Sequence, residues 1–192
     1  MMQEIIDNIV NFAVSNLQSL GILFGAFLIL LESIIPALPL GVFIALNMIA
    51  FGSIVGFVLS WVFTIVGCIV SYMIFKKISG KRLEKVYKKY PKIDNFKNKI
   101  KNMKLSTFVL ITALPFSPAF LINIAAGLTK MNFKKFIFGL LIGKVSIIYF
   151  WGFISKSLLE SITDIKTIIT VFIMLGTSYI VSKLVNKKLD IE

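Results

Sequence analysis

Histidine is absent from this chain of 192 residues, and cysteine occurs once, at Cys68. The first absence removes the usual general base and the commonest metal ligand. The second leaves no partner for an internal disulfide and no cysteine-built metal site. Acids are scarce, with nine Asp and Glu against 21 Lys and Arg, and no paired-carboxylate motif stands out among them. No phosphate-binding P-loop occurs either, which excludes direct ATP drive by this chain. These shortages point away from an enzyme, and no metal or cofactor is expected. Cations are also missing from a long stretch, since no Lys or Arg precedes Lys76.

Apolar side chains fill the space. They make up 57% of the residues, and the mean hydropathy is +0.90, above the range of soluble domains. An all-α integral membrane protein is expected, as a single membrane domain over residues 1–192. The net charge of +12 is mostly one block. Residues 76–104 hold 12 of the 21 cations and only two acids, Glu84 and Asp94. Apolar runs flank the block and nothing near it resembles a recognition helix, so no nucleic-acid partner is expected. The positive-inside rule instead places it in the cytoplasm. The same rule places the carboxyl terminus there, after Lys183, Lys187 and Lys188.

The segments divide as follows. Residues 1–17 have Glu4 and Asp7 and no basic leader, and Ile5 to Leu20 is amphipathic, which suits a helix along the membrane surface. Val14–Leu20 joined to Gly21–Leu31 can also form a first span of about 20 residues. Gly52 to Phe75, Phe136 to Ile154 and Ile165 to Val185 read as further spans, giving about four in all. Residues 130–192 thus form the carboxyl-terminal spanning part.

Two stretches, 32–52 and 105–129, are apolar but carry proline pairs: Pro36 with Pro39, and Pro115 with Pro118. Each pair removes two amide donors and obstructs the helical ladder. Freed backbone groups need partners from protein or a water-filled cavity. Re-entrant hairpins are expected, with simply kinked spans as the alternative, because 32–52 is too short for two crossings. The stretches resemble one another, Pro36-x-x-Pro39 leading to Asn47 and Pro115-x-x-Pro118 leading to Asn123 and Gly127, with a three-residue offset. With the basic block inside, the first hairpin enters from outside and the second from the cytoplasm. That is an inverted repeat, in which broken helices meet near the midplane.

Small residues recur every fourth position along Gly52, Gly56, Ser60, Thr64 and Cys68. Gly139 with Gly143, and Gly21 with Gly25, repeat the spacing. These seams suit close helix packing.

Glu32 and Lys144 fall within apolar runs, where an ionised side chain costs about 2.5–3.5 kcal/mol on insertion scales. Glu32 can alternatively cap freed hairpin amides at the surface, and Lys144 can snorkel. The intramembrane reading brings the two together, with Asn47 and Asn123 nearby as neutral polar ligands. Such a pair can couple proton binding to a conformational change.

The sequence resembles the DedA family of SNARE-associated, or VTT-domain, membrane proteins in its small bacterial branch. The resemblance covers about residues 20–155. It rests on Glu32-Ser-Ile-Ile-Pro36-Ala-Leu-Pro39 and Leu114-Pro115-Phe116-Ser117-Pro118, then Asn123-Ile-Ala-Ala126-Gly127-Leu128, Phe136 and Gly139. The stretch Ser71-Tyr72 through Gly80-Lys81-Arg82-Leu83 fits as well. It implies two oppositely facing re-entrant hairpins and a role in moving lipids across the cell membrane. The substrates implied are phospholipids or polyprenyl phosphates, moved by a flippase or scramblase with possible proton coupling at Glu32. Anionic or phosphate-bearing headgroups are the expected partners. Two positions depart from the family pattern. Thr112 stands where an arginine is usual, three residues before the second-hairpin proline, and an acid common after the first proline motif is replaced near Gly41. Lys144 is a candidate for the missing cation. A proton- or cation-coupled transporter of small solutes uses the same residues, and a non-transporting assembly factor is the third reading.

Overall fold

The computed structural model describes residues 2–34, 40–79, 99–116, 119–161 and 164–189. Pro36, Pro39, Pro118 and residues 80–98 of the basic segment lie outside them. Every regular element among the described residues is an α-helix, as expected of an all-α membrane protein. In chain order these are α1 (Met2–Leu20), α2 (Ile22–Ile34), α3 (Leu40–Phe51), α4 (Ser53–Ile78), α5 (Leu105–Ala113), α6 (Ala119–Leu128), α7 (Phe133–Ser161) and α8 (Ile165–Leu189).

Length sorts these helices. The apolar stretches Ser53–Ile78, Phe133–Ser157 and Ile165–Val185 are long and apolar enough to cross a membrane. At about 1.5 Å per residue, α2, α3, α5 and α6 each reach no more than about 20 Å, short of a hydrocarbon core of about 30 Å.

The expected first span over Val14–Leu31 is not one straight helix; its two halves together are long and apolar enough to cross, as a broken span or a re-entrant loop. The segments Glu4–Leu20 and Ile22–Ser33 meet at 111°. Gly21 makes the corner with φ +80, a backbone region that side-chain-bearing residues enter only at a cost. Gly21 also has no neighbour within 4 Å of where a Cβ would stand, so it is a hinge point and not half of a packing pair with Gly25. Gly52, with φ +85, makes the equivalent turn between α3 and α4. Leu17 of α1 is buried, whereas Ile5, Ile9 and Phe12 form an exposed apolar stripe suited to a lipid surface.

Other boundaries follow from local chemistry. Leu114 is extended (φ −82, ψ 129) and ends α5, as the residue before a proline prefers. Lys76 and Lys77 close α4, where cations favour the carboxyl end of the helix dipole. After α6, Met131 N–H donates to Ala126 O and Lys130 N–H to Gly127 O, with Lys130 at φ 52. This is a Schellman cap that uses lysine where glycine is usual.

The spans α4 and α7 run antiparallel. Near the carboxyl end of α4, Tyr72 Oη donates to Met131 O (2.7 Å) and Ser79 Oγ to Leu128 O (2.8 Å). At its start, Lys156 Nζ donates to Ser53 Oγ (2.9 Å). The short helices pack on these two spans in a reciprocal way: α2 and α6 lie on α4, and α3 and α5 lie on α7. The correspondence is incomplete, because α3 also packs along α4 while α6 has no comparable contact with α7.

Glycines permit the close approaches. A Cβ on Gly56 would strike the backbone of Asn47 and Met48, one on Gly67 would strike Ser33, and one on Gly139 would strike the Phe108 ring. The seams read from the sequence are therefore used for packing along α4 from Gly56 onward and at Gly139 and Gly143 of α7, but not at Gly21 or Gly52. Two apolar clusters result. One gathers Cys68, Tyr72, Phe108, Ile122, Phe136 and Leu140. The other gathers Ile29, Ile44, Ile147 and Ile148, and Trp61 packs against both.

Candidate functional site

Lys144 lies on α7 between Leu140 of the first cluster and Ile147 of the second. It is 4% exposed. Glu32 lies in the last turn of α2 and is half-buried. The two interact electrostatically, but no direct ion pair joins them among the described residues. Both charges also act on the buried sulfur of Cys68. One locus therefore collects side chains from α2, α4 and α7.

The neighbours of this locus are set by small residues. Gly67 of α4 admits Ser33 and the Leu30 carbonyl of α2, which brings the turn carrying Glu32 onto α4. Ser33 Oγ donates to Ile29 O (3.0 Å) and also acts on the adjacent Glu32 carboxylate. Beside Gly67, Cys68 Sγ accepts from Asn123 Nδ2 of α6 (3.1 Å), so Asn123 belongs to the same locus.

The other candidate residues take different places. Asn47 donates through Nδ2 to Gly25 O (3.3 Å) and to Ser60 Oγ (3.4 Å). Gly25 is about two turns, or about 10 Å, from Glu32 along α2, so Asn47 ties α2, α3 and α4 together away from the charges. Thr112 is fully buried against the seam of α7. Its Oγ1 is within hydrogen-bonding distance of the carbonyls of Phe108 (2.9 Å), Val109 (3.1 Å) and Gly139 (3.3 Å). A Cβ on Gly143 would strike that hydroxyl, so Thr112 touches the residue just before Lys144. Gly127 sits where a Cβ would press on Tyr72 O, at the crossing of α6 and α4. Pro115 follows the end of α5.

Two further polar side chains, Thr64 and Ser71, lie beside the locus without having been expected there as site residues. Thr64 and Ser71 are buried on α4 beside Cys68, and their hydroxyls have no hydrogen-bond partner. The same is true of Asn123 Oδ1. A buried polar atom left in that state costs about 1–3 kcal/mol. The four-residue recurrence of small polar residues along α4 was the available signal, and packing explained it as well as chemistry did.

Comparison with known proteins agrees with this architecture. The chain is 29% identical over 167 residues to the "uncharacterized membrane protein YhjE" of Bacillus subtilis (strain 168), covering 86% of this chain and 81% of that protein. It is 24% identical over 125 residues to the "uncharacterized protein YqeD" of the same organism, covering 65% of this chain and 60% of that one. No solved structure matches it. Residues 35–157, which hold every short helix after α2 together with α4 and nearly all of α7, match the VTT domain. The chain belongs to the VTT-domain (DedA) family of membrane proteins.

Proposed function

We propose that this protein moves lipids between the leaflets of the bilayer, with Glu32 and Lys144 as its transport and proton-coupling pair. One observation carries the reading. Opposite charges from α2 and α7 interact at the junction of two apolar clusters, without a direct ion pair among the described residues. Charges held at membrane depth are costly, and such residues mark substrate or proton pathways.

The element lengths favour the same conclusion. Four helices too short to span flank the proline stretches, as the arms of two re-entrant hairpins would. Reciprocal packing of α2 and α6 on α4, and of α3 and α5 on α7, is what an inverted repeat produces. Between the hairpins a polar path lets a headgroup cross while its acyl tails stay in lipid. A lysine there favours a phosphate-bearing headgroup, such as that of a phospholipid or a polyprenyl phosphate. The charge asymmetry favours a cytoplasmic place for residues 76–104 and the carboxyl terminus of a cell-membrane protein.

The test is exchange of labelled phospholipid and polyprenyl phosphate between leaflets in vesicles with and without the protein, beside flux of small ions and solutes. Faster lipid exchange with the protein supports the reading. Solute flux without lipid exchange, from folded protein, replaces it with a solute transporter.

A further inference from the structure

Four small polar side chains, Ser60, Thr64, Cys68 and Ser71, share one face of α4. At 100° per residue they fall within an arc of roughly 80° and extend roughly 16 Å along the axis, about half the hydrocarbon thickness. All are 2% exposed or less. The two asparagines of the internal repeat dock on this face two turns apart, Asn47 on Ser60 and Asn123 on Cys68.

Hydroxyls on buried helix faces commonly return their proton to the preceding turn of their own helix. In this protein Ser33 does so to Ile29 O, and Thr112 reaches Phe108 O. Thr64 and Ser71 do not, although both are 98% buried or more, and Asn123 Oδ1 beside them also lacks a partner. Two donors and an acceptor are thus presented along one seam, with Cys68 between Thr64 and Ser71. A molecule that both donates and accepts, and is small enough for an interior seam, satisfies all three, and water is that molecule. Between Thr64 and Ser71 the seam adjoins Gly67, against which Ser33, next to Glu32, is packed.

We propose that this face of α4, from Ser60 to Ser71 with Asn47 and Asn123 docked on it, is a hydrated track that brings water to the Glu32–Lys144 locus. The track would supply the exchangeable protons that the proposed coupling needs, and to that extent it rests on the reading above. Its ligand is water, and its walls are the hydroxyls, the amides and one thiol.

Cys68 is the chain's sole cysteine, so it reports on the track by itself. Its S–H stretch stands apart from other protein absorptions, and its absence in Cys68→Ser assigns it. Protein in lipid is moved into D2O and followed by infrared absorption. The expected result is loss of the S–H band while the hydrogen-bonded backbone amides of the spans remain protonated. Thr64→Val keeps the side-chain shape, removes the hydroxyl and should delay that loss. An S–H band as persistent as the protected amides overturns the track, as does exchange unchanged by Thr64→Val. The assay reads hydration alone. A dry seam in a protein that still moves lipid removes the track and leaves the proposed function standing.

Discussion

Lys144 is the buried charged side chain among the described residues, and its surroundings explain both its cost and its use. Glu32 is half-buried and acts on it, so either single change leaves the other charge without its partner, and the two single costs together exceed that of the double variant. In a cycle of Glu32→Gln, Lys144→Met and the double variant, we expect a coupling of about 0.5–3 kcal/mol in detergent unfolding, the range for interacting neighbours. Strict additivity would separate the two residues energetically. The neighbouring Thr112 is enclosed by Phe108, Gly139 and Gly143, which leaves no room for the arginine usual at this position in the resembling family. Thr112→Arg is expected to destabilise by at least about 1–3 kcal/mol through overpacking, and Thr112→Ser by much less, as read by thermal unfolding. An unchanged melting point for the arginine variant would contradict this packing. Glu32 and Lys144 were legible as candidates, because they are charges stranded in apolar runs. The asparagine partners were not, because Asn47 and Asn123 find Ser60 and Cys68 only after α3 and α6 have folded onto α4.

Spans α4, α7 and α8 were legible as elements because long apolar runs between lysines leave few other options. The corner at Gly21 was not. A glycine inside an apolar run reads equally as a packing residue or as a positive-φ turn, and only the direction of α2 decides between them. The start of α8 is a case where chemistry and boundary coincide. Asp164 accepts from the amides of Lys166 (3.2 Å) and Thr167 (3.3 Å) and from the Thr167 hydroxyl (2.8 Å). These bonds, the Thr167 hydroxyl first, hold its carboxyl below the usual aspartate range despite its exposure to solvent. A depressed folded-state value means that the cap is fully present above the ordinary aspartate value of about 3.9 and is lost as pH falls through the lower, folded one. Hydrogen exchange at the Lys166 and Thr167 amides should therefore show protection at neutral pH that disappears in acid. In Asp164→Ala it should be absent at both. Protection that persists in acid would mean that the carboxylate is not the cap.

Across the whole molecule, charge and helix length carry the topology. The first 75 residues lack Lys and Arg, and 12 cations crowd residues 76–104, while α4 and α7 run antiparallel between the two sides. Four sub-span helices pack reciprocally on those two spans, and the Glu32–Lys144 locus lies where the resulting apolar clusters meet. This arrangement was partly legible: the paired prolines announced broken helices, but the exchange of short helices between spans is a tertiary fact without a local signal. The central claim is that lipid crosses at this locus. Its most direct test is leaflet exchange of labelled phospholipid and polyprenyl phosphate in vesicles holding wild type, Glu32→Gln or Lys144→Met, each first shown to be folded and inserted. The account predicts rapid exchange with wild type and loss of at least about tenfold, equivalent to about 1.4 kcal/mol in the barrier, with either variant. Exchange at the wild-type rate in both variants would contradict it.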